Sequence, residues 1–223
     1  MKLYDLSWCP WARRVTIYLK EKGIANVEVV SLRYGEEKSP QMLQKNPLGF
    51  LPFLELEDGH VLMDSMAIVQ YLEERFPSPS LVGRTPEERC RLNAYLAMVN
   101  EFFVRSVQIH TNRLPQFART VKQSAEAADW LQPSYDRTLA TLESLSDDHG
   151  PFLLGERLTL ADCALYPMHH YQSENFQLDV FSERHPKLRR WAAMFATRAS
   201  APCPLRDDGL RELGEPPLPL RMR

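Results

Sequence analysis

The chain has 223 residues, 44% of them apolar and 25% charged, with a net charge of −2 at pH 7. That composition excludes a disordered chain, and the near-neutral charge gives no basic field for nucleic acid or an acidic membrane. No apolar run approaches the roughly 18 residues of a membrane span. The N-terminus enters a strand-like segment without the apolar core or cleavage site of a signal peptide, so the expected location is cytoplasmic.

Residues 2–7 read as a short strand. Cys9-Pro10 then opens a helix, since Pro is favoured in the first turn, where its missing N–H costs nothing. Trp11, Val15, Tyr18 and Leu19 fall on one helical face, and Gly23 suits a left-handed cap. Residues 27–32 form the next strand, which completes a parallel strand–helix–strand unit. Ser39-Pro40 starts a short helix. Residues 50–57 supply a strand, Asp58-Gly59 is a hairpin signal, and residues 60–64 return antiparallel. Ser65 is the expected cap of a helix whose Ile68, Val69 and Leu72 face inward. This βαβ–ββα order over residues 1–77 is that of a thioredoxin-like α/β domain.

Residues 78–86, rich in Pro, Ser and Gly, read as a linker. From residue 87 the pattern is helical, so the expected architecture adds an all-α C-terminal domain over 87–223. Thr85-Pro86-Glu87-Glu88 is a capping box opening a helix to about residue 112. Tyr135, Leu139, Leu142 and Leu145 mark another helix, started or broken near Pro133. Thr159-Leu160-Ala161-Asp162 is a second capping box, and Pro186 to Ser200 gives a last helix striped by Leu188, Trp191 and Phe195. The stretch from Ala201, with five prolines, reads as an irregular tail.

Four cysteines, Cys9, Cys90, Cys163 and Cys203, show no paired metal-ligand spacing, and no metal site is expected. Cys9 alone lies between a strand end and a helix start, where unpaired N–H groups and the positive dipole end favour a thiolate. A lowered thiol pKa is therefore expected there. Ala12 rules out a Cys-x-x-Cys pair, so a redox cycle is expected to borrow its second thiol from outside. A small buried cysteine filling a strand–helix gap is the alternative. Ser7 is the rival nucleophile or hydrogen-bond donor, unless it is a turn residue. Leu51-Pro52 opens a strand with a residue that cannot donate to the ladder; a cis bond would present the Leu51 backbone to an extended peptide. Asp64-Ser65 combines a hydroxyl with helix N-terminal N–H groups, which suits a carboxylate as well as a plain N-cap.

In order and spacing, Cys9-Pro10-Trp11-Ala12 with Arg14, Asn46-Pro47 leading to Leu51-Pro52, Asp64-Ser65, and Thr159 to Asp162 resemble the cytosolic glutathione transferase family. The strand–Cys-Pro-aromatic pattern is similar to the omega class, which uses cysteine where most classes use Tyr or Ser. The resemblance implies glutathione as co-substrate. Leu51, ahead of the family's cis-proline (here Pro52), would pair with the cysteinyl moiety. Asp64 and Ser65 would hold the γ-glutamyl end, Lys38 would reach the glycyl carboxylate, and Cys9-Pro10 would meet the sulfur. It also implies a homodimer, and a folding role for Thr159 and Asp162.

An acceptor cleft is expected from Trp8, Trp11, Phe102, Phe103, Tyr166 and His169 or His170, although each aromatic also suits a core. The expected activity is thiol transfer or reduction through a Cys9–glutathione mixed disulfide. A Ser7-type transferase conjugating glutathione to small electrophiles, and a non-enzymatic binding protein on the same scaffold, are the alternatives.

Overall fold

The computed structural model describes residues 1–118 and 121–203, apart from the side chain of Gln116. Beyond its first three residues, the Pro-rich stretch expected to be irregular from Ala201 lies outside the described residues.

Strand β1 (Lys2–Asp5) pairs in parallel with β2 (Glu28–Ser31), and helix α1 (Pro10–Lys22) crosses between them. Strand β3 (Phe53–Glu55) runs antiparallel to β1 and pairs with β4 (Val61–Met63), giving the order β2-β1-β3-β4. Alternation along the strands sorts the side chains onto two faces. Leu3 and Leu54 join the main core with Ile17 and Tyr18 of α1 and Ile68, Val69 and Leu72 of α3 (Ser65–Arg75). Tyr4 and Phe53, rings stacked at 4.5 Å, instead meet Met42 of α2 (Pro40–Lys45) on the opposite face.

The strands are shorter than the sequence pattern suggests. After Asp5 the chain turns at once, with Cys9 N–H on the Leu6 carbonyl at 2.8 Å. Before β3, the Asn46 amide holds the Phe50 carbonyl at 2.7 Å, which keeps residues 50–52 in a loop. Gly23 ends α1 at φ 69°, the left-handed cap its position implies.

The helical half comprises α4 (Pro86–Arg113), α5 (Ala125–Leu145), α6 (Leu160–Phe176) and α7 (Pro186–Phe195). Thr85 caps α4 by accepting from Glu88 N–H at 3.2 Å. Helix α5 neither starts nor breaks at Pro133: it begins at Ala125 behind Ser124, whose Oγ accepts from Ala127 N–H at 3.2 Å. Its first turns carry no apolar stripe, Trp130 being exposed, so the cap was the signal to follow. Helix α7 stops at Phe195, because tighter bonds from Thr197 and Arg198 N–H to the Met194 and Phe195 carbonyls take over. Among the described residues no strand follows β4; an isolated bridge joins Phe152 and Gly155. This is a thioredoxin-like α/β domain with a four-stranded sheet, followed by a helical domain.

Several polar links stitch the halves. The Glu73 carboxylate pairs with buried Lys22, accepts from Tyr18 Oη at 2.8 Å and takes the Leu81 N–H at 2.9 Å. Leu81 in turn offers its carbonyl to Leu160 N–H of α6 at 3.0 Å, so the segment between α3 and α4 is pinned on both sides. Beyond α7 the chain runs back along α1. Arg198 Nε and Ser200 Oγ bond Glu21, and the Arg13 guanidinium holds the Ala201 carbonyl.

Candidate functional site

Cys9 is the N-cap of α1 at φ −69°, ψ 126°, with Pro10 in the first turn and no side-chain cap. Burial is the larger influence on its thiol and pushes it above the ordinary value; the N–H groups of Ala12 and Trp11 pull it back down. The negative charges of Asp5 and Glu37 add to the rise. The expectation of a lowered Cys9 pKa is thus corrected. The helix N-terminus acts in the anticipated sense, but desolvation outweighs it.

Two residues along, Trp11 lines a cavity of about 380 Å³ with Asn46, Leu48, Phe50, Leu51, Pro52, Met63, Asp64 and Ser65. The Leu51–Pro52 peptide is cis, and Leu51 lies outside the β1–β3 ladder, whose pairing reaches only to Phe53. The cap of α3 is Asp64 rather than Ser65. At φ 75°, its carboxylate takes Met66 N–H at 2.8 Å and Ala67 N–H at 3.1 Å. Asp suits the capping task.

Ser65, released from capping, is buried and accepts from Arg14 Nη1 at 3.2 Å. Arg14 Nη2 donates to Asn100 Oδ1 of α4 at 3.0 Å, and Arg14 Nε is buried without a hydrogen-bond partner. This guanidinium is only 2% exposed, and among the described residues no carboxylate lies within ion-pair distance. Burial pulls its pKa down to about 10, and the charge of Asp64 opposes the fall. A buried cation beside a hydroxyl, with Asp64 acting on it only beyond ion-pair distance, is an electrostatic sink for an anionic ligand group. The sequence offered Arg14 only as part of a motif, and nothing in it singled out Asn100, one polar residue among the inward positions of α4.

Lys38 donates to the Gly49 carbonyl at 2.6 Å, with its ammonium 4.9 Å from the centre of the Phe50 ring. Gly49 has φ 58°, a left-handed backbone that calls for glycine, and a Cβ there would also push the tip of Lys38, whose Nζ would stand 2.9 Å away. Ser7 lines a separate cavity of about 320 Å³ with Asp5, Arg13, Thr16, Lys20 and Ser200. Its carbonyl accepts from Cys203 Sγ at 3.8 Å.

The residues expected to form one acceptor wall are divided. Trp11 meets Phe103 edge-on at 4.7 Å, and the Arg14 guanidinium lies 5.1 Å from the Trp11 ring. Buried Trp8 sits between Tyr34 and Tyr171, and Tyr171 also contacts Phe103. Phe102 is wholly buried in the helical core, its ring stacked on Tyr135 at 5.7 Å. Tyr166 and His169 line a third cavity, of about 370 Å³, with His170, Glu174 and Phe181. Burial lowers both histidines to about 4, which leaves the imidazoles neutral at pH 7. Among the described residues no group of three His, Cys, Asp or Glu side chains could hold a metal, and no helix is long and apolar enough to cross a membrane.

The second capping box is a contrasting arrangement. Asp162, fully buried, accepts from Thr159 N–H at 2.8 Å, Thr159 Oγ1 at 3.0 Å, Leu153 N–H at 2.9 Å and Trp191 Nε1 at 2.8 Å.

Residues 3–80 match the family model "Glutathione S-transferase, N-terminal domain" and residues 118–193 match "Glutathione S-transferase, C-terminal domain". The chain is similar to maleylacetoacetate isomerase of Pseudomonas aeruginosa, with 32% identity over 88% of this chain and 91% of the relative. It is also similar to glutathione S-transferase omega-1 of Mus musculus, with 28% identity over 86% and 75% of the two chains. A solved glutathione S-transferase of Methylobacterium radiotolerans, in complex with glutathione sulfonate, superposes with a TM-score of 0.74 at 28% identity, over 89% of this chain and 91% of that one. The chain belongs to the glutathione S-transferase family.

Proposed function

We propose that this transferase works by thiol exchange, with Cys9 as nucleophile and glutathione bound in the cavity beside Trp11. The observation that carries this reading is the placement of the Cys9 thiol on the Ala12 and Trp11 N–H groups of α1, two residues before the Trp11 that lines the cavity, while Ser7 lines a different one. In this reading the γ-glutamyl carboxylate binds at Ser65, where its charge offsets the buried Arg14, and the γ-glutamyl ammonium meets the Asp64 carboxylate. The Leu51 backbone pairs with the cysteinyl amide, and Lys38 leaves the Gly49 carbonyl for the glycyl carboxylate.

The Cys9 thiolate attacks a glutathione mixed disulfide. A Cys9–glutathione bond forms, the substrate's S–S bond breaks, and the substrate departs as a thiol. A second glutathione thiolate then frees Cys9 and leaves as glutathione disulfide. Because burial raises the Cys9 thiol, the rate should climb with pH past the ordinary thiol range. Intact-mass analysis with peptide mapping after treatment with glutathione disulfide should place the adduct on Cys9. Exchange that survives Cys9→Ser but is lost in Ser7→Ala would sink the reading.

A second reading is favoured by the Pseudomonas aeruginosa relative, whose name describes an isomerase. Reversible addition of the glutathione thiolate to a cis double bond permits rotation and elimination as the trans isomer, with no net redox change. Ser7 would then orient the bound sulfur and Cys9 would be a bystander. Isomerisation of a maleyl-type diketo acid, measured in Cys9→Ser and Ser7→Ala, separates the two. A homodimer is also proposed, because Leu48, Phe50 and Met63 expose apolar surface at the cavity rim; light scattering gives its mass directly.

A further inference from the structure

We infer that Cys203 is a resolving thiol for Cys9, which would give this chain a dithiol route although it lacks a Cys-x-x-Cys pair. The inference deepens the thiol-exchange reading of Cys9 and rests on it.

The segment after α7 is laid along α1 in the opposite direction, and its contacts advance toward the N-terminus of that helix. Arg198 and Ser200 engage Glu21 in the last turns. The Ala201 carbonyl is held by Arg13, eight residues nearer the start of α1. Cys203 then reaches the Leu6–Cys9 loop itself, with its Sγ on the Ser7 carbonyl at 3.8 Å. Arg13 stands one turn above Cys9, because its N–H closes the first turn on the Cys9 carbonyl at 2.9 Å. The residue that holds the strap therefore lies one helical turn along the chain from the nucleophile. Burial raises the Cys203 thiol, the Arg13 charge counters the rise, and Cys9 is close enough for its negative charge to add to it.

The other thiols are placed differently. Cys163 is buried in α6 and senses Glu21 and Arg198, at the far end of α1. Cys90 is exposed on α4.

In the step inferred, Cys203 Sγ gives up its proton and attacks Cys9 Sγ of the Cys9–glutathione mixed disulfide. A Cys9–Cys203 bond forms, the bond to glutathione breaks, and glutathione leaves with the electron pair and takes up the proton. Two further glutathiones reduce the new disulfide to two thiols and leave as glutathione disulfide, so no other oxidant or reductant is required. Holding the attacking thiol on the loop of its target gives it the advantage of an intramolecular reaction over free glutathione.

The test compares full-length wild type with Cys203→Ser, each treated with glutathione disulfide, alkylated and mapped without reduction. Wild type should lose two hydrogens, retain no glutathionyl group and yield a cross-linked pair of peptides containing Cys9 and Cys203. Cys203→Ser, with an unchanged melting temperature as the folding control, should retain one glutathionyl group on Cys9. Wild type that keeps glutathione on Cys9 while Cys203 is alkylated overturns the inference alone. Absence of any Cys9 adduct in Cys203→Ser overturns it together with the reading it rests on.

Discussion

Helices α1 and α6 begin in opposite ways. At α6 every strong group around Thr159 and Asp162 is answered, with four donors converging on one buried carboxylate. At α1 the cap is a cysteine whose side chain makes no capping hydrogen bond, with proline behind it. Beside it, Arg14 is buried with one nitrogen unpartnered and, among the described residues, no carboxylate within ion-pair distance. The first start resembles a fastener and the second a socket. Polar satisfaction, more than position on a helix, separates the two roles.

The sharpest way to break that contrast is Asp162→Ala, which leaves the Trp191 and Leu153 N–H groups buried and unanswered. Loss of such a network should cost about 3–5 kcal/mol in urea denaturation, and a loss below about 1 kcal/mol would show that α6 is not the fastener. Arg14→Met tests the socket. It should weaken glutathione binding about tenfold, or about 1.4 kcal/mol, by calorimetry, while the melting temperature holds or rises because a buried cation has gone. Equal affinity in both proteins would remove Arg14 from ligand binding. Thr159→Val, which deletes one donor to Asp162, should cost about 1 kcal/mol in the same denaturation assay.

Cys9→Ser should shift stability by no more than about 0.5 kcal/mol, since this cap makes no side-chain hydrogen bond to lose. The smallest effect is on pH dependence. The Cys9 thiol is raised in the folded chain, so the unfolded chain ionises first as pH rises. Cys9 therefore adds nothing below the ordinary thiol pKa and lowers stability above it. Alkylation of Cys9 in the folded protein should show a midpoint above that of the same cysteine in the unfolded chain; a midpoint below it would contradict the burial that sets its chemistry.

Much of the fold was legible because its punctuation is local. Gly23, Asp58-Gly59, Thr85-Pro86 and Thr159 to Asp162 each carry their instruction within a few residues. Pro133 misled, since a proline is compatible with α5 once Ser124 has started the helix and Leu139 and Leu142 have packed it. The candidate site was legible where one segment supplies it, as with Leu51, Pro52, Asp64 and Ser65. It was not legible where distant segments meet. Asn100 on Arg14, Cys203 on the Ser7 carbonyl, and the separation of Tyr166 and His169 from Trp11 depend on tertiary packing that no periodicity encodes. The sign of the Cys9 shift failed for the same reason, since desolvation is a property of the assembled neighbourhood.

Glu73 has a further consequence. One carboxylate on α3 gathers Lys22 and Tyr18 from α1 together with the Leu81 amide, and the Leu81 carbonyl passes the link to α6. Opening the two halves breaks the Leu160–Leu81 bond and loosens the Leu81 amide on the buried Glu73 carboxylate. Two units that look separable on paper should then melt in a single calorimetric transition, and the slowest-exchanging amides of α1 and α6 should share one protection factor.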